Sequence, residues 1–186
     1  MMQIEAPVAP DVMTPEAFEE YALLPEHRDK RLEFRDGRII ELVSQDYASN
    51  IAANTLISLG NFVRQHKLGR VTGADGGYMV MNERYIPNVA FVSNKRQPEP
   101  AYKAYNPIAP DLAVEVISPT DTLRDLSRKI VNYLLAGTVV WVIDPQAKSV
   151  DVYVPGQMPV TLDINGVIDG GTVLPGFTLA VAEIFA

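Results

Sequence analysis

The segment DLAVEVIS, residues 111–118, constrains this chain most. Its apolar, largely β-branched residues call for a buried strand, and successive side chains of a strand alternate between its two faces. Leu112, Val114 and Val116 point one way; Asp111, Ala113, Glu115 and Ile117 point the other. One face of an apolar strand therefore presents two carboxylates. Burying an ionised carboxylate is costly unless a cation, a proton or hydrogen bonds compensate. A local conflict of this kind marks either a working site or a structural ion pair.

The next segment offers the cation. Ser118 or Thr120 is placed to cap a helix, Pro119 suits its first turn, and Asp121 and Asp125 favour its positive end. Leu123, Leu126, Ile130 and Leu134 form an apolar stripe at helical spacing. Asp125, Lys129 and Tyr133 make the adjoining row, so the stem of Lys129 can reach the acidic strand from the rim of the helix–sheet contact. Gly137 stops the helix, and residues 139–143 read as another buried strand. Two carboxylates with an ammonium fit a metal-dependent hydrolytic site and, equally, a buried ion pair tying helix to sheet.

Other segments supply the frame. Thr14 caps a short helix, and Asp36–Gly37 joins two strands, residues 31–35 and 38–44, as a hairpin. Helical spacing runs over residues 47–66, ended by Lys67–Leu68–Gly69. The cluster Gly73–Ala74–Asp75–Gly76–Gly77 matches no phosphate-binding loop; it reads as a bend, with Asp75 a minor site candidate. Residues 82–84 read as a turn and residues 85–93 as a strand with Asn88, Ala90 and Val92 on one face. Residues 94–109 form a polar loop with Lys95, Arg96 and Lys103, mobile and open to solvent or to basic contacts. A further hairpin and a turn-rich tail follow. His27 and His66 read as solvated surface residues.

From residue 48 to 143 the order is α-β-β-β-α-β. If the strands at 85–93 and 111–118 are hairpin neighbours, Asn88 lies beside Glu115 and Asp111 lies further along the same face. With 186 residues the chain suits one domain, 14–186, after a flexible N-terminus, 1–13. Its 16 Lys and Arg against 23 Asp and Glu make it a poor non-specific nucleic-acid binder, so any DNA contact must use a local basic patch or bound cations. The absence of cysteine excludes disulfides and thiolate metal sites. No apolar run approaches a membrane span and no signal pattern opens the chain, so the expected address is the cytoplasm.

Several stretches carry a resemblance: RLEFRDGRIIELVS, GNFVRQHKLGRVTGADGGY, IPNVAFVS, APDLAVEVISPTDTLRDLSRKIVNYLLAGTVVWVIDP, DVYVPG and GGTVLPGF. In this order they resemble a large bacterial family of putative restriction endonucleases, formerly a domain of unknown function, within the PD-(D/E)XK nuclease superfamily. The resemblance implies an α/β (α+β) fold with a restriction endonuclease-like core. A mixed β-sheet is flanked by helices, with an N-terminal hairpin and C-terminal β additions. It also implies Mg²⁺-dependent cleavage of phosphodiester bonds in DNA, with Mn²⁺ as a substitute ion, by a homodimer.

Carried over residue by residue, the superfamily's "PD" aspartate falls on Asn88 and the acid of the next core strand on Glu115. The usual lysine two residues on falls on Ile117, and Lys129 takes the helix position where relatives of this family place theirs. Asp111 matches a second Pro–Asp of the family. The implied metal ligands are Glu115, Asn88 and Asp111, with Lys129 assisting. Asn88 keeps one neutral oxygen where an acid would add charge, so the alternative is a degenerate nuclease fold serving as a nucleic-acid-binding or protein-interaction module.

Overall fold

The structure, a computed structural model, describes residues 13–43, 45–118 and 121–186. Its first elements are α1 (Pro15–Ala22), β1 (Leu32–Arg35), β2 (Arg38–Glu41), α2 (Asp46–His66) and β3 (Gly69–Thr72). The middle comprises β4 (Gly77–Val80), β5 (Glu83–Tyr85), β6 (Val89–Ser93), β7 (Tyr105–Asn106), β8 (Leu112–Val116) and α3 (Leu123–Leu135). The chain ends with β9 (Val139–Asp144), β10 (Ser149–Tyr153), β11 (Val160–Leu162), β12 (Val167–Asp169), β13 (Thr178–Ala180) and α4 (Val181–Ile184).

A six-stranded sheet, β11-β10-β9-β8-β6-β3, forms the centre. It is mixed: β8 and β9 run parallel, as a strand–helix–strand crossover through α3 requires, and the other pairs are antiparallel. Helix α2 covers one face, where Ile51, Leu59 and Val63 meet Val89, Phe91, Leu112, Val114 and Trp141. The opposite face, with Ala90, Val92, Ala113, Val140 and Val142, packs against Ile130 and Tyr133 of α3 and against Tyr78, Val80 and Tyr85. Those tyrosines belong to a second sheet, β2-β1-β5-β4-β7. The expected mixed sheet flanked by helices is therefore present, and the core order α-β-β-β-α-β is that of α2, β3, β6, β8, α3 and β9.

Two turns follow directly from sequence. Asp36 and Gly37 both adopt positive φ, 53° and 74°, the backbone that a two-residue hairpin between right-twisted strands demands. Lys67, at φ 54°, closes α2 in the left-handed conformation. Several boundaries differ from expectation. The run read as one strand over 85–93 is broken, with Glu83–Tyr85 in the second sheet and Val89–Ser93 in the first. The residues read as a turn, 82–84, thus mostly enter β5. Helix α3 begins at Leu123 because the Thr122 hydroxyl accepts the Asp125 N–H; Pro119 and Thr120 lie outside the described residues. Leu123 is 85% exposed, so it stands outside the stripe assigned to it, and Lys129 moves from the rim into the buried face. Arg96, expected on a solvated loop, is tied to Asp111 and to the carbonyls of Ala109, Pro110 and Gly137. His27 is buried, its Nδ1 2.8 Å from the Tyr21 carbonyl.

The edge of the central sheet depends on a glycine. A Cβ at Gly69 would lie 2.1 Å from the Val92 carbonyl oxygen, against the strand with which Gly69 pairs at Ser93. Gly69→Ala should therefore lower stability by about 1–3 kcal/mol in urea denaturation. An unchanged midpoint would contradict the β3–β6 register.

Candidate active site

Registers place the site. The β6–β8 ladder pairs Val89 with Val114 and Ala90 with Ala113, so Asn88 continues it opposite Glu115. The Asn88 Oδ1 accepts the Val116 N–H at 2.8 Å. Glu115 emerges on the face toward α3, where Lys129 donates to its Oε2 at 2.8 Å and the Tyr133 hydroxyl donates to its Oε1 at 3.0 Å. Lys129 and Tyr133 are one helical turn apart, which is why both reach a single carboxylate. The expected grouping of Asn88, Glu115 and Lys129 is present.

Asp111 is not part of it. Four residues along an extended strand is about 13 Å. There one Asp111 oxygen accepts the Ser93 N–H at 2.7 Å and the other pairs with Arg96 at 3.1 Å. The structure thus gives Asp111 a strand-end and loop-pinning role and does not bring it to Glu115. Asp75 lies in the wall of a neighbouring cleft.

Glu33, to which the sequence alone assigns no role, completes the cluster. It lies on β1 of the second sheet, fully buried, and its Oε1 accepts from Lys129 Nζ at 3.1 Å and from the Ile86 N–H at 2.7 Å. Its Oε2 accepts from Arg35. Lys129 Nζ also stands 5.3 Å from the centre of the Tyr85 ring. The alternation Leu32–Glu33–Phe34–Arg35 carried a signal, since it sets an acid and a base on one face. What sequence did not show is that β1 is buried on both faces.

Glu33, Arg35, Asn88, Glu115 and Lys129 floor a cleft of about 290 Å³ whose walls include Arg31, Glu41, Ser49, Asp121 and Asp125. Burial pushes the Glu115 carboxyl above its ordinary pKa, opposed by Lys129. Burial alone would lower Lys129, but Glu115 and Glu33 outweigh it and hold the ammonium above its ordinary value. Burial, then Glu115 and Glu33, raise the Tyr133 hydroxyl well up, so it remains a donor.

The donor set fits a hard divalent ion. The Glu115 carboxylate and the Asn88 amide oxygen face the cleft, and each of their oxygens accepts one protein hydrogen bond and keeps a second lone pair. Glu33, by contrast, spends its lone pairs on Lys129, the Ile86 N–H and Arg35. Among the described residues, no three His, Cys, Asp or Glu side chains converge as a ready cage. A divalent ion here would therefore complete its shell with water or an external oxygen ligand.

Comparison with solved structures finds the same architecture in a crystal structure described as a putative nuclease belonging to DUF820 from Anabaena variabilis ATCC 29413. The TM-score is 0.80 at 22% identity, over 93% of this chain and 97% of that one. The class is thus the mixed-sheet, helix-flanked fold of that structure. The family model Uma2, described as "Putative restriction endonuclease", matches residues 18–182, and the chain belongs to that family. A comparison with curated proteins finds no match.

Removing the buried ammonium should change both stability and its pH dependence. In wild type, the raised Lys129 pKa gives stability that is full below about 10.5 and lost as pH rises beyond. Lys129→Met leaves Glu115 without a counter-ion and Glu33 with Arg35 alone, at a cost of about 3–5 kcal/mol. With its carboxyl pKa then raised further above 4.5, Glu115 contributes most near and below that pH and progressively less above it. Denaturation at pH 5 and pH 8 should show the larger loss at pH 8. Equal losses at the two pH values would mean that Lys129 is not the counter-ion.

Proposed function

We propose that the chain is a divalent-metal-dependent endonuclease acting on DNA, with Mg²⁺ as the natural ion and Mn²⁺ as a substitute. Glu115 and Asn88 would hold the ion. The observation that carries this reading is the buried Glu33–Lys129–Glu115 network at the floor of a cleft that also contains Asn88. A purely structural ion pair would not need to face a cleft.

When bound there, the metal supplies an activated water and neutralises charge on the phosphate undergoing cleavage. The chain's own groups do the rest. Lys129 uses two of its three N–H donors on Glu33 and Glu115, leaving one for a phosphate oxygen or the attacking water. Glu33 and Arg35 fix the ammonium from behind, so its position costs little reorganisation. Tyr133 holds the Glu115 carboxylate in one orientation. A homodimer would present two such clefts for cutting both strands of a duplex.

A second reading, a degenerate nuclease fold that binds without cutting, rests on two observations. Asn88 brings no charge, and each Glu115 oxygen already has a protein donor. Calorimetric titration of Mg²⁺ and Mn²⁺, paired with a plasmid-cleavage assay, separates the two. Wild type should bind metal and cleave, and Glu115→Ala should do neither. Cleavage that persisted in Glu115→Ala, or wild type that failed to cleave with either ion, would sink the nuclease reading. Asn88→Asp should fold, because a carboxylate can also accept the Val116 N–H, and should tighten metal binding by adding a charged ligand. Unchanged affinity would remove position 88 from the metal site.

A further inference from the structure

The proposed centre poses an electrostatic problem for its own substrate. Five carboxylates line its cleft (Glu33, Glu41, Glu115, Asp121 and Asp125) against three cations, Arg31, Arg35 and Lys129. The whole chain carries a net charge of −7. Duplex DNA carries about one negative charge per 1.7 Å of axis, so this cleft repels the strand it would cut unless phosphates are held elsewhere.

A second cleft, of about 680 Å³, opens beside the first and shares Arg31 and Ile86 as a common wall. Here the balance reverses: Arg28, Lys30 and Arg31 face Asp29 and Asp75. Arg28 is exposed and makes no ion pair among the described residues. Lys30 pairs with Glu41 at 3.2 Å, but both partners are exposed, 41% and 56%, and such a surface pair is weak enough to yield to a phosphate. The backing is firm. His27 is buried against Tyr21, with ring centres 4.0 Å apart, and the Tyr105 hydroxyl donates to the Leu32 carbonyl at 2.6 Å.

We infer that this second cleft grips the DNA backbone next to the Glu115 centre, with Arg28 and Lys30 as its phosphate contacts and Arg31 at the junction. The inference rests on the nuclease reading, and it assigns to one side of the active cleft the strand that enters or leaves it. Arg28 and Lys30 act on binding and not on the reacting atoms. They are positioning residues.

Anisotropy of a fluorescein-labelled short duplex DNA, titrated with protein in EDTA over a series of salt concentrations, tests this without cleavage. Arg28→Ala/Lys30→Ala should weaken binding by about tenfold and reduce the slope of log affinity against log salt by roughly two, about 0.9 for each phosphate no longer neutralised. The control Arg64→Ala/Lys95→Ala removes the same charge from exposed positions outside both clefts and should leave the slope near that of wild type. Weakening confined to the first pair supports the surface, whether or not the protein cuts when metal is added. Equal effects of the two pairs, or no effect of either, overturn the surface and leave the nuclease reading to the cleavage assay. Wild type that binds no duplex even at low salt overturns it too, and cleavage with metal still decides the nuclease reading separately.

Discussion

The rest of the site depends on one ammonium. Lys129 comes from α3, Glu33 from the second sheet and Glu115 from the central sheet, and the three meet where those elements pack. Each carboxylate alone would be an expensive buried charge, and together they would also repel. The lysine turns two liabilities into a junction, because breaking a buried ionic group by removing one partner costs more than the intact group contributes. Arg35 plays the same part for the second oxygen of Glu33. The position of the cleft floor is therefore set by packing between layers and not by a loop.

Charge also bears on Asn88. Two carboxylates, one ammonium and one guanidinium already balance on the cleft floor. The walls add Glu41, Asp121 and Asp125 against Arg31, so a dication bound there would offset the net negative charge of the cleft as a whole. Under the proposed nuclease reading, the ion would cancel charge that otherwise repels phosphates from this cleft, while Asn88 adds an oxygen ligand without adding charge. On the same reading, the neighbouring cleft with Arg28 and Lys30 would attract the polyanion while the Glu115 centre supplies oxygen ligands.

Much of this was legible in residues. Alternation in 111–118 assigned the faces of β8, and Leu112, Val114 and Val116 do pack against α2 while Glu115 faces α3. Antiparallel neighbours fix a constant sum of positions, and the observed pairing of Val89 with Val114 gives that sum the value that sets Asn88 opposite Glu115, as expected if the two strands are hairpin neighbours. Helical spacing put Lys129 and Tyr133 on one side of α3, although Leu123, in its first turn, escapes the packing. Glu33 was not legible as a site residue, because its role comes from the second sheet closing over the first and no local pattern encodes that contact. Asp111 misled for a related reason: it shares a face with Glu115, but a face extends along the whole strand, and its loop partner Arg96 captures it.

The spacing of the junction along the chain sets its order of assembly. Lys129 and Glu115 are 14 residues apart, while Lys129 and Glu33 are 96 apart. By the logarithmic scaling of loop closure, the second contact costs about 1.7 kcal/mol more chain entropy than the first. The helix–strand half can therefore gather early as a local unit, and the clamp is complete only after the second sheet docks. A chain caught between those stages holds a lysine with one carboxylate and a cleft with no floor. Completion of the centre thus reports that the second sheet has docked on the first.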